Sequence, residues 1–114
     1  PESKVLNIIC DKDNTIWYFE GFVAAGLKKT DYTPEGIRKI IYDKQKAVDA
    51  KWKKDKNGDT QTICLIKLTD DANYNNMVDV LDEMDITKTK VYAIQEVSKL
   101  ELEAIANGGN AAVQ

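Results

Sequence analysis

The chain reads as an α+β protein: a two-layer sandwich in which a mixed β-sheet carries two main helices on one face and contains a C-terminal βαβ unit. Three observations predict this. Residues 5–10 (VLNIIC) and 15–19 (TIWYF), rich in β-branched and aromatic side chains, flank the four-residue turn Asp11-Lys12-Asp13-Asn14, which is a hairpin pattern. From residue 63 to 95 an alternating apolar run, a helix with one apolar stripe and a second short strand follow one another. Two strands joined by a helix of that length lie parallel, because parallel neighbours need a crossover. Finally, 114 residues with 43% hydrophobic and 31% charged content suffice for one core and one domain, read here as residues 1–106.

Between the hairpin and the first helix, Gly21 and Gly26 bracket Phe22, Val23, Ala24 and Ala25, and residues 20–32 read as an irregular connector. A helix is expected over residues 34–53. Thr33 is a favoured N-cap, Pro34 suits the first helical position, and Glu35 suits the positive end of the helix dipole. Ile37, Ile40, Ile41, Lys44, Val48 and Trp52 share one face at spacings of three and four, and Lys44 is expected to carry its ammonium out to water. The turn pair Asn57-Gly58 follows.

Residues 62–68 alternate with both faces largely apolar, the mark of a central strand. Asp70, Asp71 and Asn73 offer caps for a second helix with the stripe Tyr74, Met77, Val78, Leu81 and Met84. Val80 falls off that stripe, and the helix should stop near Met84 or Asp85. Residues 90–95 form the last clear strand. Ser98-Lys99-Leu100-Glu101 has the form of a capping box, so residues 99–106 read as a short helix, with a final edge strand as the alternative. Residues 107–114 (NGGNAAVQ) read as a disordered tail.

Composition narrows the chemistry. A net charge of −3 argues against nucleic acid as a partner, and the absence of histidine removes the commonest general base and metal ligand. Cys10 and Cys64 stand 54 positions apart with no second pair to complete a zinc site. They read as buried thiols, or as a disulfide if the protein lives in an oxidising compartment. Asp79, Asp82 and Glu83 read as a solvated helix face, and the acids from Asp70 to Asp85 lack the spacing of a calcium loop. No cofactor or metal is expected. Residues 43–56 carry a local charge of +3 and residues 69–103 one of −6, blocks that serve solubility or steer a partner. Trp17, Tyr18 and Phe19 are consecutive on a strand and cannot all face one core. Either one of them meets a partner, or the loop around Phe22 and Val23 covers it. Together with Tyr92 they are the candidate partner-binding residues.

Tyr74, Val78, Leu81 and Asp82, followed after a short turn by Val91, Tyr92, Ala93 and Ile94, resemble the C-terminal periplasmic domain of the ExbD and TolR family. These are small subunits of proton-driven motors in the inner membrane of Gram-negative bacteria, and the insertion-rich form here is most similar to ExbD-like proteins of Bacteroidetes-type organisms. The resemblance is strongest over residues 63–94, with weaker support from the hairpin. It implies a non-enzymatic domain, held at the inner membrane by a single span outside this sequence, that supports TonB-dependent transport across the outer membrane. The implied partners are an ExbB-like membrane subunit, reached through that span, a TonB-like periplasmic protein and a second copy of the chain. The family's proton-carrying acid lies in the span, so no residue here corresponds to it. No run approaches the ~18 apolar residues of a membrane span, and the chain begins at Pro1, so we read it as a piece of a longer protein. The competing reading is a small α/β regulatory domain binding a metabolite between strand and helix. An enzyme is disfavoured by the missing histidine and nucleophile motifs.

Overall fold

The structure, a computed structural model, describes residues 1–110. Five strands, β1 (Val5–Asp11), β2 (Thr15–Glu20), β3 (Lys28–Thr30), β4 (Ile63–Leu68) and β5 (Val91–Ile94), form one mixed sheet in the order β3-β2-β1-β4-β5. β1 is central, antiparallel to β2 with Ile8 opposite Tyr18 and parallel to β4 with Ile8 opposite Ile66. β4 and β5 are parallel, with Cys64 opposite Tyr92, and the helix α2 (Tyr74–Thr87) connects them. The α+β class, the hairpin and the βαβ unit are as the sequence predicts. β3, at the end of the expected connector, is an addition: its residues are Lys-Lys-Thr, with no apolar signal to announce a strand.

All seven residues of β1 are buried, because both faces of the sheet are covered. Leu6, Ile8 and Cys10 point to one face, where they pack with Cys64 and Ile66 against Ile37, Ile41, Val80 and Met84. Those four come from the segment of α1 (Lys39–Lys51) with the turn before it, and from α2. On the other face Ile9, Trp17 and Phe19 pack against Leu27 and against Ala104 of α3 (Lys99–Ala106). The two main helices share one face as expected, and α3 closes the opposite one.

Local chemistry sets each helix boundary. Thr33 caps the expected start, its Oγ1 accepting from the Gly36 N–H at 3.1 Å. Gly36 then leaves helical geometry at φ −92° and ψ −110°, so Pro34–Arg38 is a separate wide turn and α1 proper starts at Lys39. Gly36 is required there because a Cβ would run into the Asp31 carboxylate. Lys44 does not reach open water: its buried ammonium lies 2.7 Å from Glu20 Oε1 at the end of β2. α1 stops at Lys51, and Trp52 beyond it receives the ammonium groups of Lys51 and Lys4 at 4.8 and 5.2 Å from its ring centre.

α2 is rotated from its expected setting. Its buried residues are Asn76, Val80, Glu83, Met84 and Thr87, whereas Tyr74 is 73% exposed. Val80, off the expected stripe, is therefore core. The apolar residues alone point to another setting because three inward positions are polar and satisfied. Asn76 and Asn73 form a reciprocal cap, with N–H to Oδ1 distances of 3.0 and 3.1 Å, and the Asn76 amide also donates to Asn14 Oδ1 at 2.9 Å. Glu83, expected on the solvated face, accepts both Nε–H and an Nη–H of Arg38 at 2.9 and 3.0 Å. The Thr87 and Thr89 hydroxyls are bonded at 2.8 Å. The helix also runs further than expected, to Thr87, and Lys88 caps it in the left-handed conformation (φ 58°).

α3 is the helix, not the edge strand. Ser98 Oγ accepts the Glu101 N–H at 3.1 Å, and Glu101 Oε1 accepts the Ser98 N–H at 2.8 Å. Residues 107–110, expected to belong to a tail, instead make a turn that returns to the sheet, the Leu27 N–H donating to Gly109 O at 2.8 Å. Gly109 has φ +100°, and a Cβ there would strike the Leu27 carbonyl, so only glycine permits this approach. The rest of the expected tail, 111–114, lies outside the described residues.

The second carboxylate oxygen of Glu101, Oε2, accepts from the Lys67 ammonium, and both side chains are buried. Lys67 also donates to Asn7 Oδ1 at 2.9 Å, and the Asn7 amide donates to Gly21 O at 2.6 Å. Removing one partner of such a pair strands a buried charge, at a cost of about 3–5 kcal/mol. Lys67→Ala and Glu101→Ala should each lower stability by roughly that amount, read from urea unfolding midpoints. The double variant Lys67→Met, Glu101→Leu should lose markedly less than either.

Candidate functional site

The two sheet edges differ in kind. β3 is three residues long and carries two exposed lysines, both of which discourage another chain from pairing with it. β5 is Val-Tyr-Ala-Ile, all four residues exposed, with Val91 at 49%, Tyr92 at 43% and Ile94 at 52%. The ladder to β4 aligns Tyr92 with Cys64 and Ile94 with Ile66, which places both on the α1–α2 face beyond the reach of the helices. Val91 and Ala93 lie on the α3 face and are equally bare. A strand of this composition normally sits inside a sheet. Among the described residues no strand pairs with its outer side, and its side chains are left about half exposed.

The free backbone groups of β5 follow from one hydrogen bond. The Gln95 N–H donates to Ile66 O at 2.9 Å. In a parallel ladder alternate residues bond the same neighbour, so Val91 and Ala93 also turn their backbone groups to β4. Tyr92 and Ile94 turn theirs away from the sheet.

The four candidate residues separate cleanly. Trp17 and Phe19 are buried on the α3 face, at 5% and 6% exposure. Trp17 is held by its indole N–H, which donates to Asp11 Oδ2 at 3.1 Å, while Asp11 Oδ1 accepts from the Thr69 hydroxyl at 2.8 Å. A partner could reach neither ring without displacing α3. The cover is Leu27, Ala24 and α3, not Phe22 and Val23, which are themselves 67% and 69% exposed. Tyr18 is half-buried against the first core. Tyr92 remains on the surface, on the bare strand. The apolar surface at Val91, Ala93 and Ile94 was present in the sequence, but periodicity could not reveal that β5 ends the sheet.

A groove of about 430 Å³ runs beside this edge on the α3 face, rimmed by Phe22, Val23 and Leu100 and floored by Leu65, Lys67 and Glu101. Lys67 is engaged by Glu101 and Asn7, so the floor offers no uncommitted cation to an anionic ligand. Among the described residues no three His, Cys, Asp or Glu side chains come together as a metal site. No helix of the described residues is long and apolar enough to cross a membrane.

Both cysteines are free and buried. Cys64 lies opposite Leu6 and Cys10 opposite Leu68, four ladder positions apart, or about 13 Å at a strand's rise per residue. That is far beyond disulfide reach. Burial pushes the Cys64 thiol up to about 12 from an ordinary 9.0. Burial also raises Cys10, and raises Tyr32, whose hydroxyl lies next to the Cys10 thiol without a hydrogen-bond partner at normal geometry.

No protein-family model, curated protein or solved structure matches the chain.

The thiols should resist alkylation at pH 8 in the folded protein and react fully in urea, as counted by mass spectrometry. Each of these groups is neutral when protonated and keeps its proton to higher pH when folded. Stability should therefore hold below pH 9 and fall as pH rises from about 9 towards 12, where the unfolded chain ionises first. Unfolding midpoints across that range check the sign, and Cys64→Val should flatten part of the decline.

Proposed function

We propose that this chain is a non-enzymatic docking domain that works by accepting another chain along β5. The single observation that carries this is an apolar, exposed strand at the sheet's edge, with outward-facing backbone groups that no other strand of the described residues pairs with. Strand addition to such an edge obtains affinity from main-chain hydrogen bonds and selectivity from alternate side chains. The setting we propose is the one the family resemblance implies: the periplasmic part of an ExbD-like subunit of the inner membrane. There it supports TonB-dependent transport, with an ExbB-like subunit bound through a membrane helix outside this sequence and a TonB-like protein in the periplasm. The β4-α2-β5 unit and the order of elements around it support that setting. The acidic balance over residues 69–103 supports it too, as a field that favours a basic segment over an acidic one.

Ile94→Pro tests the reading. It removes an outward N–H and leaves the bonds from β5 to β4 in place, which is the position a sheet edge tolerates for proline. Titration of the source organism's TonB-like periplasmic domain into this chain should show binding, weakened at least tenfold by Ile94→Pro with little loss of thermal stability. A metabolite that raises the melting temperature, with no binding of the TonB-like domain, would favour the ligand-binding domain instead.

A further inference from the structure

We infer that the end of the sheet at which β1, β4 and β5 start rests on a bilayer surface, its lysines set against anionic phospholipid headgroups. This is a second surface, apart from the docking edge, and it rests on the proposed inner-membrane setting only for which membrane it meets.

Strand direction gathers the lysines. β1, β4 and β5 are parallel, with Val5 aligned to Ile63 and Ile63 to Val91, so all three start at one end. α1 and α2 finish there: the Gln45 amide of α1 donates to Thr87 O at 3.0 Å and to Thr89 Oγ1 at 2.9 Å, where α2 gives way to β5. The chain from the end of α1 carries Lys51, Lys53, Lys54 and Lys56. Gln61 fastens it to this end, its amide donating to Lys53 O at 2.6 Å and its Oε1 accepting from the Lys4 ammonium at 2.6 Å. Lys88 and Lys90, on the turn from α2 into β5, are exposed beside it. Within residues 1–4, 51–61 and 88–90 these seven lysines meet three acids, Glu2, Asp55 and Asp59. Asp55 is turned onto its own loop, its Oδ1 accepting from the Asn57 and Asp59 N–H groups at 2.8 and 3.0 Å. The ion pairs of the described residues use Arg38, Lys39, Lys44 and Lys67, so none of the seven is committed to a carboxylate. The turns at the far end, residues 11–14, 31 and 70–71, hold five aspartates and one lysine.

Charge divided in this way orients the domain, because an anionic surface attracts the lysine end and repels the other. Each lysine held near such a surface strengthens binding about fivefold. Trp52 stands among them, half-buried, with the Lys51 and Lys4 ammonium groups at 4.8 and 5.2 Å from its ring centre. Headgroup depth is where an amphipathic indole is favoured. Single-stranded nucleic acid instead needs a free aromatic face on which a base can stack, and this ring already holds two cations. A bilayer touches one end only, whereas a long flexible polyanion meets a protein whose net charge is −3. A membrane helix preceding Pro1 would enter beside Lys4 and set this end against the bilayer, where tethering makes even a weak contact effective. β5 runs away from that end, so its outer side stays open to a partner.

Co-sedimentation of this chain with vesicles of phosphatidylglycerol and phosphatidylethanolamine tests the inference. At low salt the chain should bind them and should ignore vesicles of phosphatidylcholine. About 0.5 M salt should release it, since charges are then screened within a few Å. Tryptophan emission should shift to the blue on binding, and Trp52→Phe should remove the shift, because Trp17 is already buried. Lys53→Glu with Lys54→Glu should weaken binding at least about 20-fold with little change in melting temperature. Lys12→Glu with Lys99→Glu, an equal change of net charge elsewhere on the surface, should weaken it far less. No binding to the anionic vesicles at low salt, or an equal loss from both double variants, would overturn the inference. Tighter binding to a single-stranded oligonucleotide than to vesicles would overturn it too, in favour of a polyanion site. The vesicle experiment contains no TonB-like domain, so the two readings fail separately. Vesicle binding without TonB-like binding leaves this end standing and the docking edge fallen, and the converse result does the opposite.

Discussion

The constraint on which this structure depends is the burial of β1 on both faces and both sides. A strand with seven buried residues needs a hydrogen-bonded neighbour on each side and a cover above and below. β2 and β4 supply the neighbours, and α1 with α2 supplies one cover. The other cover cannot come from the βαβ unit, whose crossover helix is already committed to the opposite face. It comes from α3 and the chain around Leu27, brought from opposite ends of the sequence.

Covering the centre leaves the periphery bare. Two helices on one face and an eight-residue helix on the other extend over β2, β1 and β4, and β5 lies beyond both. A fifth strand is still worth forming, because it satisfies the outer backbone groups of β4. The consequence is that the apolar residues which let Val91–Ile94 form a strand also make it a surface. The exposed edge is thus a direct result of how far the covering elements reach.

Local signals in the sequence were reliable wherever the structure is made by neighbours. The hairpin at Asp11–Asn14, the Thr33 cap and the Ser98–Glu101 capping box all lie within a few residues of one another and stand as read. Errors arose where a distant partner changes what a residue means. Glu83 looked solvated until Arg38, 45 positions earlier, was placed against it. Lys67 lies in a run that reads as largely apolar, and its partner Glu101 is 34 positions away. The stripe of α2 was read from apolar residues alone, so satisfied polar residues at 76, 83 and 87 rotated it. Trp17 and Phe19 were candidate contacts because no local pattern announces that α3 folds back over them. Of the candidate site, Tyr92 was legible as a strand aromatic, but its place at an edge is a property of strand order, which no local pattern encodes.

Glu101 performs two tasks with one carboxylate: Oε1 closes the first turn of its own helix, and Oε2 neutralises Lys67 in the sheet. An eight-residue helix has little stability alone, and an uncovered Lys67 leaves Ile9, Trp17 and Phe19 facing water. Coil-to-helix ordering and docking are therefore one event. The C-terminal segment should open and close as a single sub-global unit, with its amide protons exchanging together at a free energy set by the buried pair.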